Sequence, residues 1–122
     1  MYTNATACGA VQGVHEALDR LAAIPSGALP SGLTQLRAGF GLHVGEVTFG
    51  NVGSKSRLDF TVIGPAVNEV SRVQGLTRQL SRPLLASRAF ANLPCSLDLE
   101  SVGVHVLRGF REPKEIFAVK GL

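Results

Sequence analysis

Tryptophan is absent from this chain and tyrosine occurs once, so there is little aromatic surface on which unpaired bases could stack. Dense runs of lysine or arginine are missing too, which argues against a nucleic-acid footprint. Long apolar runs do not occur: each is short and broken by Gly, Arg or Pro, so no segment reads as a membrane-spanning helix. The first twenty residues carry no basic stretch ahead of their apolar positions, and Glu16 and Asp19 follow, so they do not read as a signal peptide. Cysteine occurs only as Cys8 and Cys95, far apart and without metal-ligand spacing. The expectation is two reduced thiols in a cytoplasmic protein rather than a disulfide. His15, His43 and His105 show no ligating pattern. Asp19, Asp59 and Asp98 lack a second carboxylate at useful spacing, so no metal site is expected in this chain.

What is present describes one globular domain. The chain has 122 residues, of which 45% are hydrophobic and 17% charged. That length allows a single core burying roughly two-thirds of the unfolded surface. The net charge of +3 is unevenly placed. Residues 1–36 carry Arg20 against Glu16 and Asp19, and every other Lys and Arg lies in 37–122. A modest positive field of this kind suits a phosphorylated small molecule.

The hydrophobic periods divide the chain. Ala7, Ala10, Val11, Val14, Leu18 and Leu21 follow a helical period, predicting a helix over 5–24 capped by Asn4 or Thr3 and ended by Pro25. Residues 25–35 are rich in Gly, Pro and Ser and read as a loop. A strand is expected over 36–50, with a change of parity at Gly45-Glu46 that suggests a bulge. Gly50 to Ser54 reads as a turn, and 57–63 as a second strand antiparallel to the first, making a hairpin over 36–63. Gly64-Pro65 ends it, and Pro65 suits the first turn of a helix over 66–81. Short strands and one short helix fill 83–122. The order reads as α+β, or α/β with helices covering a mixed sheet.

Three clusters could carry chemistry. The glycines at 39, 41, 45, 50 and 53 invite a phosphate-loop reading, but Gly53-Ser54-Lys55-Ser56 places a serine where a Walker loop needs Lys, and Gly39-x-Gly41 precedes a strand. Taken singly they serve bulges and turns. Asp59, Thr61 and Ile63 share one face of a strand, and a threonine hydroxyl can both donate to and accept from a purine edge. Asn68 and Arg72 stand four apart on a helix and so lie one turn apart on one face. Asn can hold a ribose, and Arg offers a fixed fork of donors to a phosphate. His43 has no carboxylate or nucleophile at helical or strand spacing and reads as a sheet residue bonded to neighbours, not as a general base.

Read in register, Gly41-Leu42-His43-Val44-Gly45-Glu46-Val47, then Gly50-Asn51-Val52-Gly53, then Asp59-Phe60-Thr61-Val62-Ile63-Gly64 and Val67-Asn68 with Arg72 resemble the second half of a class III nucleotidyl cyclase catalytic domain. The closing residues Leu107-Arg108-Gly109-Phe110, Glu112-Pro113 and Ile116-Phe117 are similar to the family's last hairpin. The resemblance covers about 5–122 and is tightest over 41–72. It implies a ferredoxin-like nucleotidyl cyclase fold, truncated and lacking the first strands and the metal-binding hairpin, as one partial domain over 1–122. It implies that Thr61 reads the base and favours ATP, that Asn68 orients the ribose, and that Arg72 stabilises the transferring phosphoryl group. It also implies homodimers or higher self-association and Mg or Mn in the complete domain. Where the family often has Asp this chain has Pro65, and where it usually has Ala or Leu beside the Asn this chain has Glu69 and Val70. These departures touch packing and helix entry more than chemistry.

The family's paired metal aspartates and its adenine-reading Lys have no counterpart in this sequence. The expectation is therefore the C-terminal part of an adenylate cyclase domain, inactive alone and binding no metal. The alternatives are a non-catalytic nucleotide-binding or dimerisation module derived from that fold, and an unrelated α+β interaction domain.

Overall fold

Ala7, Val11 and Val14, each under 7% exposed, put one stripe of the first helix against a sheet. This helix, α1, spans Asn4–Ala22, and a 3-10 turn at Ser26–Ala28 follows Pro25. Asn4 is the first helical residue rather than the residue preceding the helix, and Thr3 lies outside the described residues. The structure is a computed structural model that describes residues 4–33, 36–54, 57–94 and 98–122.

The remaining elements are β1 (Phe40–Leu42), β2 (Thr48–Ser54), β3 (Arg57–Ile63), α2 (Pro65–Gln79), β4 (Leu84–Ser87), α3 (Arg88–Ala91), β5 (Leu99–His105) and β6 (Lys114–Val119). Four strands form a mixed sheet in the order β1-β4-β6-β5. β1 runs parallel to β4, while β4–β6 and β5–β6 are antiparallel. All four residues of β4 are buried, and they alternate between the two faces. Leu84 and Ala86 pack with α1, Phe90 and Val119. Leu85 packs on the other face with Val73 of α2, Leu107, Ile116 and Ala118. A helix therefore covers each face of this sheet, an α+β arrangement of the kind the sequence resemblance implies.

The hairpin differs from the sequence expectation. The run over 36–50 is not one strand: β1 ends at Leu42, residues 43–47 leave the ladder, and β2 begins at Thr48. The change of parity at Gly45-Glu46 separates two strands instead of bulging one. Gly50 to Ser54, expected as a turn, is strand, paired in register with Arg57 to Thr61. β1 does not join that hairpin and takes a parallel partner, β4, from much later in the chain. β2 and β3 form their own two-stranded ribbon. Residues 55–56, between β2 and β3, lie outside the described residues.

The thiol expectation is also corrected. Cys8, on α1, is disulfide-bonded and not a reduced thiol. Cys95 lies outside the described residues. Spacing along the chain could not show this, because a disulfide depends on Cα separation in the fold.

Candidate functional site

The three residues singled out from the sequence fall on two consecutive elements. Thr61 lies on β3 opposite Gly50 and is partly buried. Gly64 ends that strand at φ +142°, a conformation in which a side chain would be strained. Pro65 then opens α2 at the position where its missing N–H is not needed. Asn68 and Arg72 follow on the exposed side of α2, one turn apart. Among the described residues, neither makes a hydrogen bond or ion pair to another side chain, so both sets of donors face water.

The buried side of α2 explains this presentation. Val73 and Thr77 are its buried residues, with Leu76 and Leu80 packed beside them. Counting back one turn from Val73 reaches Glu69, so a carboxylate occupies the head of the inward stripe. Its Oε2 lies 2.7 Å from His43 Nε2, and its Oε1 lies 3.4 Å from Lys114 Nζ. His43 Nδ1 is 2.6 Å from Ser87 Oγ. A carboxylate only accepts, so Nε2 carries the proton and donates to Glu69. In the neutral ring the Ser87 hydroxyl donates to Nδ1, and its oxygen accepts the Phe90 N–H at the start of α3. The Lys114 ammonium also sits 5.5 Å from the Phe110 ring centroid.

Sequence reasoning read His43 as bonded to neighbours, and it is, but as the first residue beyond β1 and with partners the spacing did not reveal. Glu69 and Ser87 stand 26 and 44 residues away along the chain. The available signal was Glu69 itself, a charge in the apolar stripe of a helix. Ser87 is 5% exposed and engaged on both sides, which suits a structural hydroxyl and not a nucleophile.

Among the described residues, two of the clefts on the surface bear on this region. One of about 470 Å³ is lined by His43, Glu69, Ser87, Arg88, Lys114 and Glu115, among others. A larger one of about 720 Å³ lies between the end of α1, residues 36–39 and the end of α2, and includes Arg37, Arg78 and Arg82. Neither is lined by Thr61, Asn68 or Arg72. Among the described residues, no group of three or more His, Cys, Asp or Glu could hold a metal ion. No helix among the described residues is long and apolar enough to cross a membrane.

The chain is similar to known cyclases over most of its length. An adenylate cyclase of Anabaena cylindrica is 42% identical over 95 residues, covering 74% of this chain. Adenylate cyclase 1 of Rhizobium meliloti (strain 1021) is 33% identical over 117 residues, covering 95%. The solved structure of a bacterial light-regulated adenylyl cyclase superposes with a TM-score of 0.78 at 26% identity, over 98% of this chain. This chain spans 19% and 17% of the two curated relatives and 35% of the solved chain. No protein-family profile matches it. The shared fold and the two aligned relatives together show that the chain belongs to the class III adenylate/guanylate cyclase catalytic-domain family, of which it carries a part.

Proposed function

We propose that this chain supplies the base, ribose and phosphate contacts of an adenylate cyclase site, in which ATP becomes cyclic AMP and pyrophosphate. The observation that carries the reading is α2 itself. Asn68 and Arg72 share its exposed side, unengaged among the described residues, one short step beyond the strand that holds Thr61. In the reaction the ribose 3′-hydroxyl gives up its proton to solvent, its oxygen bonds to the α-phosphorus, and the bond to the pyrophosphate oxygen breaks, with pyrophosphate leaving with that electron pair. The Thr61 hydroxyl would meet the adenine edge, and the Asn68 amide would fix the ribose so that its 3′-oxygen faces phosphorus. The Arg72 guanidinium would balance the negative charge that builds as pyrophosphate leaves. Mg or Mn, required by the family's chemistry, would be held by carboxylates outside this chain.

The test is a titration of the isotopically labelled chain with ATP and with GTP, followed by NMR. Shifts at Thr61, Asn68 and Arg72 that saturate with ATP, and weaken in Arg72→Ala, support the reading. Shifts elsewhere only, or none, would remove it. A second reading, a non-catalytic nucleotide-binding or dimerisation module, is favoured by the lack of paired metal aspartates in the sequence. It predicts the same ATP contacts but no cyclic AMP even when a carboxylate-bearing cyclase segment is supplied in trans.

A further inference from the structure

The start of α2 is weakly built for an element that must hold two ligand contacts. Its N-cap is Gly64, which has no side chain to offer the first N–H groups, and its first turn holds no acidic residue. The amides of Val67 and Asn68 both turn back to the Gly64 carbonyl, at 3.1 and 3.3 Å. Val73 is the first fully buried residue along the helix, two turns in. With no side chain capping its first N–H groups, the start of the helix takes much of its order from tertiary contacts. In the first two turns the polar tertiary contacts fall on Glu69.

We infer that Glu69, gripped by His43 and Lys114, is the positioning residue that sets the rotation of the first two turns of α2, and with it the direction of Asn68 and Arg72; this rests on the nucleotide-contact reading above. The grip comes from two strand ends. His43 leaves β1 and is itself tied to Ser87 at the end of β4, in the buried centre of the sheet. Lys114 opens β6 and reaches the other carboxylate oxygen. Successive helical residues are about 100° apart, so a slip by one position would carry Asn68 into the place of Glu69. Two fixed contacts on one carboxylate oppose that rotation more than one contact could.

A separate observation points the same way. A Cβ at Gly45 would stand 2.8 Å from Ala66 Cβ and 3.1 Å from His43 Nε2. The segment after β1 therefore closes at once on the histidine and on the first turn of α2, with room there only for a hydrogen. His43, Gly45, Ala66 and Glu69 interlock, and the asparagine of the site is the residue next to Glu69. Asn68 and Arg72 are thereby held from behind, without being touched.

The test uses the full chain without ligand first. Amide hydrogen exchange is compared in the wild type, Glu69→Ala, His43→Ala, the double variant and Glu69→Gln. Release of the grip should speed exchange at the amides of residues 69–73 about tenfold in either alanine variant, leaving residues 76–79, β4 and β6 as they were. The double variant should add little to Glu69→Ala, because that change alone already removes the His43 contact. Glu69→Gln keeps an acceptor for His43 and should fall between. Unchanged exchange at 69–73, or equal acceleration throughout the fold, would overturn the inference. Should Glu69→Ala not fold, Glu69→Gln and His43→Asn carry the same comparison. A second arm measures ATP affinity, which should fall in step with exchange at 69–73, whereas a merely structural loss would lower the melting temperature and leave Kd alone. A wild-type chain that binds no ATP would end the nucleotide reading, while the exchange data would still judge the grip.

Discussion

Arg72 is exposed on α2 and unengaged among the described residues, so its removal should leave the folded state nearly unchanged, within about 0.5 kcal/mol. If it meets a phosphate, its loss removes a charge-assisted bond worth about 1.5–3 kcal/mol, or ATP affinity weakened on the order of tenfold to a hundredfold. Calorimetry of Arg72→Ala checks both numbers on one sample. Thr61 should make a complete domain prefer ATP to GTP, with Thr61→Ala abolishing the preference; equal rates in the parent would leave Thr61 as a strand residue only. The glycines separate in the same way. A Cβ at Gly41 would lie 2.9 Å from the Gln74 amide nitrogen and 3.0 Å from the Val70 carbonyl, both backbone. Gly41→Ala should therefore push α2 off β1 and cost about 1–3 kcal/mol. Gly75 has nothing within 4 Å of an added Cβ, so Gly75→Ala should stabilise by about 0.5–1 kcal/mol through helix propensity. Paired thermal unfolding curves decide the signs. The sequence pattern marked Gly41 but suggested turns and bulges for it, because the approach of a helix 33 residues away is invisible at short range.

Elements were legible where local periods decide them and obscure where distant partners do. The stripe of Ala7, Val11 and Val14 announces α1, and Gly64-Pro65 announces the start of α2, since both signals lie within the segments themselves. The run over 36–50 misled because a parallel strand declares its partner nowhere nearby. β1 is three residues long and ends where His43 turns toward Ser87 and Glu69. Gly50 and Gly53 look like turn residues yet sit in a strand, where the ladder with β3 supplies the order that propensity withholds. The same limit applies to the site. Thr61, Asn68 and Arg72 were singled out by motif and spacing, whereas the side chains that meet around Glu69 of α2 come from the end of β1, from β4 and from β6. β4 is the element on which all of this rests, being buried on both faces. Leu85→Ala, at a fully buried position between the strands and α2, should cost about 2–5 kcal/mol and lower ATP affinity only as far as it unfolds the chain.

At the scale of the molecule, two features bear on what the chain does alone. The first is chemical. Its sequence lacks the paired aspartates of the family, and no described cluster could hold a divalent cation. Incubation with Mg-ATP or Mn-ATP should therefore yield no cyclic nucleotide above buffer, and a turnover that disappears in Arg72→Ala would reverse that view. The second is architectural. β1 is an edge of the four-stranded sheet, paired only with β4 among the described residues. The β2–β3 ribbon forms a separate sheet, with Phe49 66% exposed and Ile63 57% exposed. Unpaired strand edges and exposed apolar side chains both favour association, since covering them satisfies backbone groups and removes apolar area from water. Asn68 and Arg72 line neither of the two clefts described above. The chain should accordingly run as a dimer or larger species at micromolar concentration in size exclusion coupled to light scattering. Substituting Phe49 and Ile63 together by serine should shift that population toward monomer without loss of helical content, because both side chains lie on the ribbon and outside the two cores. A folded monomer in the parent chain would mean that one copy covers its edges unaided, and the case for association would fall with it.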